Sequence, residues 1–261
     1  GSSGTWRKVT VGKRTGWVSS KFLKAVTVKK AATVTVTSKT KSNVKLGAKL
    51  TFAGKTSKNL IGKKVAVQIL SGDSWSTVKS VKVTSKKTFS VTVKATQAGP
   101  QKYRVYAPST KTTKAAKSKT YKYTVWSWYN IAGRSVDESG MWSDSEAVDI
   151  GGTHYPKSVL SYTGYSFATW ADFNVGYKCT KFRATIGMSD TAKTGAERLF
   201  TLFVDSTEVN LGTRGIGKGL DVTADITDAN RIRLQAFGNG NKVSGAAAYG
   251  DPQVYCSTSP Y

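Results

Sequence analysis

Polar and apolar residues alternate with a period of two along most of the chain, and this pattern predicts β-strands rather than helices. The alternating segments of the first half are Ala32–Ser38, Val65–Ile69, Trp75–Val83, Phe89–Val93, Tyr103–Tyr106 and Tyr121–Val125. Turn-forming residues separate them, as at Ser71–Ser74 and Gln97–Pro100. The first half of the chain is therefore predicted to be a compact succession of short strands.

Around seven short strands in about 95 residues is typical of an immunoglobulin-like sandwich, which we predict over residues 27–127. No cysteine pair can bridge its sheets, so we expect a core around Trp75, Phe89 and Tyr103. This stretch also resembles the Ig-like modules that form stalks in secreted bacterial proteins. That resemblance implies an extracellular protein.

The second half of the chain is predicted to be a separate β domain with longer loops, over residues 128–261. Its strand candidates are Thr180–Gly187, Leu199–Asp205, Leu220–Ile226, Arg231–Phe237 and Gln253–Cys256. The predicted fold class is therefore all-β, an Ig-like β-sandwich followed by a jelly-roll-like β-sandwich. Long loops on a rigid sandwich are common places for binding sites.

Charge divides the chain at about the same point. Residues 1–130 hold 28 lysine and arginine residues and one acid, Asp73, whereas residues 131–261 hold 12 basic and 14 acidic residues. Twenty-five of the 28 are lysine, which is poorly suited to base readout and bidentate phosphate recognition. A lysine coat on exposed strands can simply deter sheet aggregation, or it can adhere to an anionic cell-wall polymer. Nonspecific nucleic-acid binding is the less favoured alternative, kept open by the basic and aromatic segment Tyr121–Trp126.

Residues 1–26 are too few for an independent fold. Gly4–Val11 followed by Thr15–Leu23 resembles the last strands of a bacterial Src-homology-3-type domain, with a tryptophan strand, a turn and then Gly-Trp-Val. The resemblance implies a partial N-terminal SH3-type β segment. The alternative is a strand pair that packs on the Ig-like domain.

Five motifs in the last 130 residues resemble, in the right order, the NPCBM type of carbohydrate-binding module. They are Asp149–Pro156, Phe182–Asp190, Leu202–Asp205, Asp221–Asp225 with Arg231–Leu234, and Ala248–Pro252. The closing turn departs from the family pattern, because Tyr249 stands where tryptophan is common. Ala246–Ala248 also replace the acidic and histidine positions that often precede it. The resemblance implies a noncatalytic β-sandwich that binds glycan.

The chain offers no constellation of reactive groups, so we predict that it is not an enzyme. It has one histidine, His154, and the nucleophile-elbow-like Gly164–Ala168 is not followed by an amphipathic helix. Gly212–Gly219 resembles a phosphate-binding loop but lacks the hydroxyl residue after its lysine. Scattered acids leave an irregular calcium site open, without assigned ligands. No other cofactor is expected, and no apolar run reaches the roughly 20 residues of a membrane span.

Sugar binding needs aromatic faces for the pyranose ring and polar groups for its hydroxyls. The candidate residues in segments interpreted mainly as loops or strand ends are Trp142, His154, Tyr155, Tyr165, Trp170, Arg214, Asn239, Asn241 and Tyr249. The alternative for the aromatic residues is a place in the core, and for His154 a structural hydrogen bond.

The two cysteines, Cys179 and Cys256, are interpreted as a disulfide of an extracellular protein, with two buried thiols as the alternative. The sequence thus predicts a secreted, cell-wall-associated protein. Its expected partners are a glycan or peptidoglycan-associated polysaccharide and an anionic wall polymer. Two other functions stay open: a structural stalk without a glycan site, and an ancillary region of a larger glycoside hydrolase.

Overall fold

The computed structural model describes residues 2–24, 26–140, 142–162, 167–238, 240 and 242–261, with side chains from residue 4 onwards. Strands account for 62% of the described residues and helices for 2%, which confirms the predicted all-β class. The helical segments are two 3-10 turns, Ser20–Phe22 and Lys58–Leu60. Among the described residues, no helix has the length and apolar character needed to cross a membrane.

The strands follow one another along the chain with short connections. Up to residue 120 they are β1 Ser2–Ser3, β2 Trp6–Val11, β3 Arg14–Ser19, β4 Val34–Lys39, β5 Asn43–Lys45, β6 Lys49–Thr56, β7 Lys64–Ser71, β8 Ser74–Lys82, β9 Thr88–Lys94, β10 Gly99–Ala107 and β11 Ala116–Lys117. Beyond it they are β12 Tyr121–Asn130, β13 Asp137–Ser139, β14 Trp142–Ile150, β15 Thr153–Ser161, β16 Ala168–Asn174, β17 Cys179–Met188, β18 Glu197–Val204, β19 Thr207–Gly215, β20 Leu220–Asp225, β21 Arg231–Phe237 and β22 Ala247–Cys256.

The chain divides into two compact units. Unit 1 comprises residues 1–39, 51–93 and 104–120, and unit 2 comprises residues 40–50, 94–103 and 121–261. The predicted domain limits 1–26, 27–127 and 128–261 stay a prediction, as do the SH3-type and Ig-like assignments.

Unit 1 contains three small antiparallel arrangements of strands. The N-terminal sheet has the order β1-β2-β3, and a second sheet has the order β4-β6-β9. In a third, β10 lies beside β7, which pairs with β8, while β11 pairs with the end of β10. In β6 and β9 the strand alternation buries alternate side chains, including Phe52 and Phe89.

Trp75 does not occupy the core position predicted for it. It pairs with Leu70 on β7, lies half-buried, and the guanidinium of Arg104 stacks on its ring. Trp75 and its partner Leu70 lie on the face of the sheet that carries Gln68, opposite to the buried Val65 and Val67 of β7. Phe89 and Tyr103, by contrast, are 3% and 2% exposed, as predicted.

Unit 2 is built from two facing antiparallel sheets. Sheet A has the strand order β14-β15-β22-β17-β20, with β12 pairing with the C-terminal half of β22 and β5 running parallel to β12. Sheet B has the order β13-β16-β21-β18-β19. Residues from both sheets, such as Phe182 and Val254 from sheet A and Phe173 and Leu202 from sheet B, form one buried core.

Two links fix parts of this sandwich. Cys179 and Cys256 are joined by a disulfide between the directly paired strands β17 and β22. Tyr249 of β22 is fully buried and reaches across the core, where its hydroxyl donates to the carbonyl oxygens of Thr201 and Gln235 in sheet B at 2.9 and 2.7 Å. Its ring meets Phe200 edge to face at 5.3 Å.

Candidate functional site

The outer face of sheet A carries a row of aromatic side chains on β12 and β22. Trp128 pairs directly with Tyr255 across the two strands, and their ring centroids are 5.1 Å apart. Trp126, two residues back on the same face of β12, stacks on Tyr255 with a centroid distance of 5.6 Å and an interplanar angle of 25°. These three half-buried rings, which we call the aromatic platform, form a preassembled apolar surface.

The strand period of two explains why these rings share one face. On β22, Asp251, Gln253 and Tyr255 alternate with the buried Pro252, Val254 and Cys256. The same alternation on β17 exposes Lys181 and Arg183 and buries Phe182 and Ala184. On each of these strands the inward residues pack in the core, and the outward residues form the candidate site.

Strand register places polar groups in a second row beside the platform. Gln253 pairs with Asn130 of β12 on one side and with Arg183 of β17 on the other. The amide oxygen of Gln253 accepts hydrogen bonds from Nε and Nη2 of Arg183 at 3.2 and 2.7 Å. Its amide nitrogen donates to Asp251, whose other carboxylate oxygen accepts from Asn130 at 2.7 Å. These contacts connect four polar side chains into one network.

Arg183 joins the polar network to the platform. Its guanidinium carbon lies 4.2 Å from the centroid of the Trp128 ring, a cation–π contact. In the described part of the chain, Arg183 makes no ion pair with a carboxylate, so its charge is held by an amide and an aromatic ring. A positive charge placed in this way remains available to an anionic or hydroxyl-rich ligand.

Two grooves follow this face. An apolar groove of about 440 Å³ is lined by the platform together with Lys45, Leu46 and Lys181. A more polar groove of about 360 Å³ is lined by Tyr155, Arg183, Thr185, Asp221 and Asp251. We call them the aromatic groove and the polar groove. Since Arg183 lines one and stacks on a wall of the other, the two form a continuous surface.

Of the residues predicted from sequence, Tyr155 is the one that the structure places in this surface. It lies on β15 in the wall of the polar groove, with its ring against Gly250, where an added Cβ would come within 2.8 Å of the ring. Glycine at position 250 therefore allows the tyrosine to lie close to β22.

Trp170 lies on a different surface, the outer face of sheet B. The guanidinium of Arg233 stacks on its ring at 3.7 Å. Arg233 also donates to both carboxylate oxygens of Asp172, which is 1% exposed, and this carboxylate raises the pKa of Arg233. Here the arginine charge is compensated inside the protein, in contrast to that of Arg183.

Tyr249 lies in the core, which contradicts the expectation that it stacks on sugar. It is 0% exposed because the alternation of β22 turns it inwards, and burial strongly raises the pKa of its hydroxyl. Trp142 stands at a strand end, as the first residue of β14, and lies half-buried against the core. Its indole nitrogen is buried and has no hydrogen-bond partner among the described residues. Trp142 lines neither the aromatic groove nor the polar groove.

The remaining candidates do not join the sheet A surface. His154 is exposed on β15, with Nδ1 2.7 Å from the Asp149 carboxylate. Arg214 lies half-buried on β19 and pairs in register with Arg198. Tyr165, Asn239 and Asn241 lie outside the described residues. In the described ranges, no group of three or more His, Cys, Asp or Glu side chains is arranged for a metal ion, so the calcium hypothesis gains no ligand set there.

Sequence reasoning missed Trp126, Trp128, Arg183, Gln253 and Tyr255. It placed Trp126 and Trp128 on either side of a predicted domain boundary, although the sequence contains a signal for an aromatic face. Alternate positions carry large aromatic and polar residues in Trp126–Asn130, Asp251–Tyr255 and Lys181–Thr185. What the sequence does not contain is the pairing of β12 with β22 and of β22 with β17.

A two-sheet sandwich with an exposed aromatic and polar face defines a β-sandwich binding module. The chain belongs to the NPCBM/NEW2 domain family, whose model matches residues 109–255. This match confirms the NPCBM resemblance that the sequence motifs indicated.

Two solved structures show a weak likeness to this chain. The CBM22-1 xylan-binding domain of Paenibacillus barcinonensis Xyn10C is 8% identical, with a TM-score of 0.31, over 51% of this chain and 94% of that domain. Tripeptidyl peptidase 2 is 7% identical, with a TM-score of 0.26, over 82% of this chain and 19% of its own. Scores this low say nothing about function. No curated protein matches the chain.

Proposed function

We propose that this protein is a noncatalytic carbohydrate-binding protein that holds glycan on the outer face of sheet A. Membership of the NPCBM/NEW2 family supports carbohydrate as the ligand class. The observation that carries the choice of site is the aromatic platform of Trp126, Tyr255 and Trp128, held together by its own ring contacts and joined to Arg183.

In this proposal the apolar face of a pyranose stacks on the platform inside the aromatic groove. The neighbouring sugar units follow the polar groove, where charged and amide groups suit sugar hydroxyls. Asp221 and Asp251 accept hydrogen bonds from hydroxyls, and Arg183 donates to hydroxyl oxygens. The Arg183–Gln253 contact fixes the guanidinium before binding, which lowers the entropy lost when the ligand docks.

The basic half adds a second, long-range attraction. With 28 basic residues and one acid in residues 1–130, that half attracts polyanions, and we propose that it adheres to an anionic polymer of the cell wall. The protein is then secreted and wall-associated, with a glycan or peptidoglycan-associated polysaccharide as its specific partner. Two linked weak contacts gain strength through effective concentration, so neither needs to be tight alone.

The test uses the full chain on insoluble peptidoglycan and on a glycan array at about 0.15 M salt, where exposed charges are largely screened. We expect retention that free oligosaccharide competes away. Trp128→Ala and Tyr255→Ala are expected to lower the affinity by about tenfold or more, as for aromatic anchors at other interfaces.

Trp170→Ala is the matched control, because it removes the same side chain from sheet B. Retention that is unchanged in Trp128→Ala and Tyr255→Ala, but lost in Trp170→Ala, would move the site to sheet B. Absence of competition by any sugar on the array would overturn the carbohydrate proposal. Thermal unfolding of each variant checks that the fold is kept.

A further inference from the structure

Unit 1, like unit 2, contains an arginine stacked on a tryptophan at its surface. The guanidinium carbon of Arg104, on β10, lies 4.2 Å from the centroid of the Trp75 ring on β8 and 5.5 Å from that of Tyr106. All three side chains are half-buried, so they are packed on the sheet but still reach the surface.

A buried amide holds this arginine in place. Gln68 lies on β7, between the strands of Arg104 and Trp75, and it is 8% exposed. Its side-chain oxygen accepts a hydrogen bond from Nε of Arg104 at 2.9 Å, and its nitrogen lies 3.4 Å from the Thr77 hydroxyl. Burying an amide costs free energy unless it is hydrogen-bonded, and here the amide positions a cation.

The charge of Arg104 is not compensated. Within the residues that the structure describes, Arg104 has no ion pair, whereas Arg231 and Arg233 share the buried carboxylate of Asp172. An arginine that serves only the fold would gain from such a partner. Arg104 instead keeps its charge and Nη donors for something outside the chain.

The same residue types recur at the surface of unit 2. There Arg183 stacks on Trp128 at 4.2 Å, its Nε donates to the Gln253 oxygen at 3.2 Å, and Tyr255 lies next to Trp128. In each unit, therefore, a tryptophan face and a glutamine oxygen fix an uncompensated arginine beside a tyrosine.

The surroundings of Arg104 are strongly positive. Strand register puts Lys64 and Lys82 in a direct pair on the face that carries Gln68, and Lys117 pairs with Tyr106. The one acid of residues 1–130 is Asp73, which is exposed in the turn two residues before Trp75 and makes no ion pair among the described residues. Charge complementarity therefore selects an anionic ligand, and a planar guanidinium with parallel N–H donors matches two oxygens of one acidic group.

We propose that Gln68, Trp75, Arg104 and Tyr106 form a discrete binding site for the acidic group of a polysaccharide. Arg104 pairs with the acidic group, and the Tyr106 hydroxyl and the edges of the two rings contact the sugar. This site is distinct from the sheet A surface and does not depend on it. It also differs from diffuse attraction by the lysine coat, because it requires particular side chains rather than net charge.

The experiment measures binding of the full chain carrying both Trp128→Ala and Tyr255→Ala, which removes two of the three rings of the aromatic platform. The probes are polygalacturonate, its methyl ester and a phosphomannan, at about 0.15 M salt. Comparison of polygalacturonate with the phosphate-bearing polymer distinguishes carboxylate from phosphate as the acidic group. The methyl ester has the same sugar as polygalacturonate without the charge.

We expect at least one acidic polymer to bind and the ester not to bind. Arg104→Gln and the charge-conserving Arg104→Lys should each weaken binding by about tenfold, because glutamine removes the charge and lysine removes the pair of parallel N–H donors. Lys82→Gln removes the same charge from the same face and is expected to change affinity less than about twofold. Trp75→Phe gives a second, conservative test, with thermal unfolding as the check on folding.

Three results would overturn the proposal. Arg104→Lys could bind as tightly as the parent, which would leave only net charge as the cause. Single-stranded DNA could bind equally well with the same dependence on Arg104, which would make the site a general polyanion surface. The third result is that neither acidic polymer binds. Each result leaves the sheet A proposal untouched, because that proposal is tested by the difference between the parent chain and the single variants Trp128→Ala and Tyr255→Ala.

Discussion

Arg183 and Trp128 are in contact although their strands are not neighbours. The guanidinium carbon of Arg183 on β17 lies 4.2 Å from the Trp128 ring on β12, and β22 runs between them. The contact forms over Gln253 and Tyr255, which occupy the intervening strand. The candidate site is therefore a property of three adjacent strands, and its parts come from positions more than 120 residues apart in the sequence.

Replacing the neutral amide beside this arginine with a carboxylate should weaken glycan binding. In Gln253→Glu the new carboxylate pairs with Arg183 and occupies its charge and donors. We expect about a tenfold loss of affinity, or about 1.4 kcal/mol at 25 °C. Isothermal titration with the best array ligand gives the value.

Asn210→Asp on sheet B serves as the control for Gln253→Glu, because it adds the same charge and keeps the oxygen that accepts from Gly212. Equal losses in both variants would mean that net charge, and not the Arg183–Gln253 contact, controls binding.

Removal of the disulfide should destabilise the sandwich. Cys179 and Cys256 are 77 positions apart, and the chain-entropy model predicts that closing a loop of this length stabilises the fold by about 4 kcal/mol. The double variant Cys179→Ala/Cys256→Ala is expected to lose up to that amount in urea unfolding at pH 7. The prediction is wrong if reduction of the disulfide under native conditions leaves the free energy of unfolding of the parent protein unchanged.

Loss of the Asp172 carboxylate should cost stability without affecting glycan binding. Its side chain is 2% exposed and accepts hydrogen bonds from Arg231 and Arg233. Because these arginines are 47% and 35% exposed, we expect Asp172→Ala to cost about 2–3 kcal/mol, less than a fully buried pair. Urea unfolding measures the loss, and Glu208→Gln, at an exposed carboxylate on β19, should show none. A simultaneous loss of binding to the sheet A surface would contradict the separation of the two faces.

The buried Tyr249 should make the fold sensitive to alkaline pH. Burial raises the pKa of its hydroxyl well above the ordinary value of 10.0, so the folded state keeps the proton where the unfolded state loses it. The stabilisation is fully present below pH 10 and declines as the pH rises above 10. Tyr249→Phe removes the bonds to Thr201 and Gln235, which costs about 1–3 kcal/mol near pH 7.

The comparison of the two pH profiles tests this assignment. The phenylalanine variant should lose stability less steeply than the parent between about pH 10 and 11.5. The lysines titrate in both proteins, so their contribution cancels in the difference. Parallel profiles would show that Tyr249 does not contribute to the alkaline loss.

The sequence by itself predicted the all-β class and many of the strands. Arg231–Phe237 is a strand with the predicted bounds, because its alternation has a buried and an exposed side. Alternation also fixes which residues share a face within one strand. It does not say which face of a strand packs in the core, and Trp75, predicted in the core, lies half-buried on the opposite face of its sheet.

The tertiary structure decided the candidate site. Only strand order and register could bring Trp128, Tyr255 and Arg183 together. A shift of the register by one residue would move every side chain of a strand to the other face. The same pairing turned Tyr249 into the core, where its hydroxyl satisfies carbonyls of the opposite sheet. Local pattern is a property of neighbouring residues along the chain, whereas a binding surface on a sheet depends on contacts between distant segments, and these are fixed when the whole core packs.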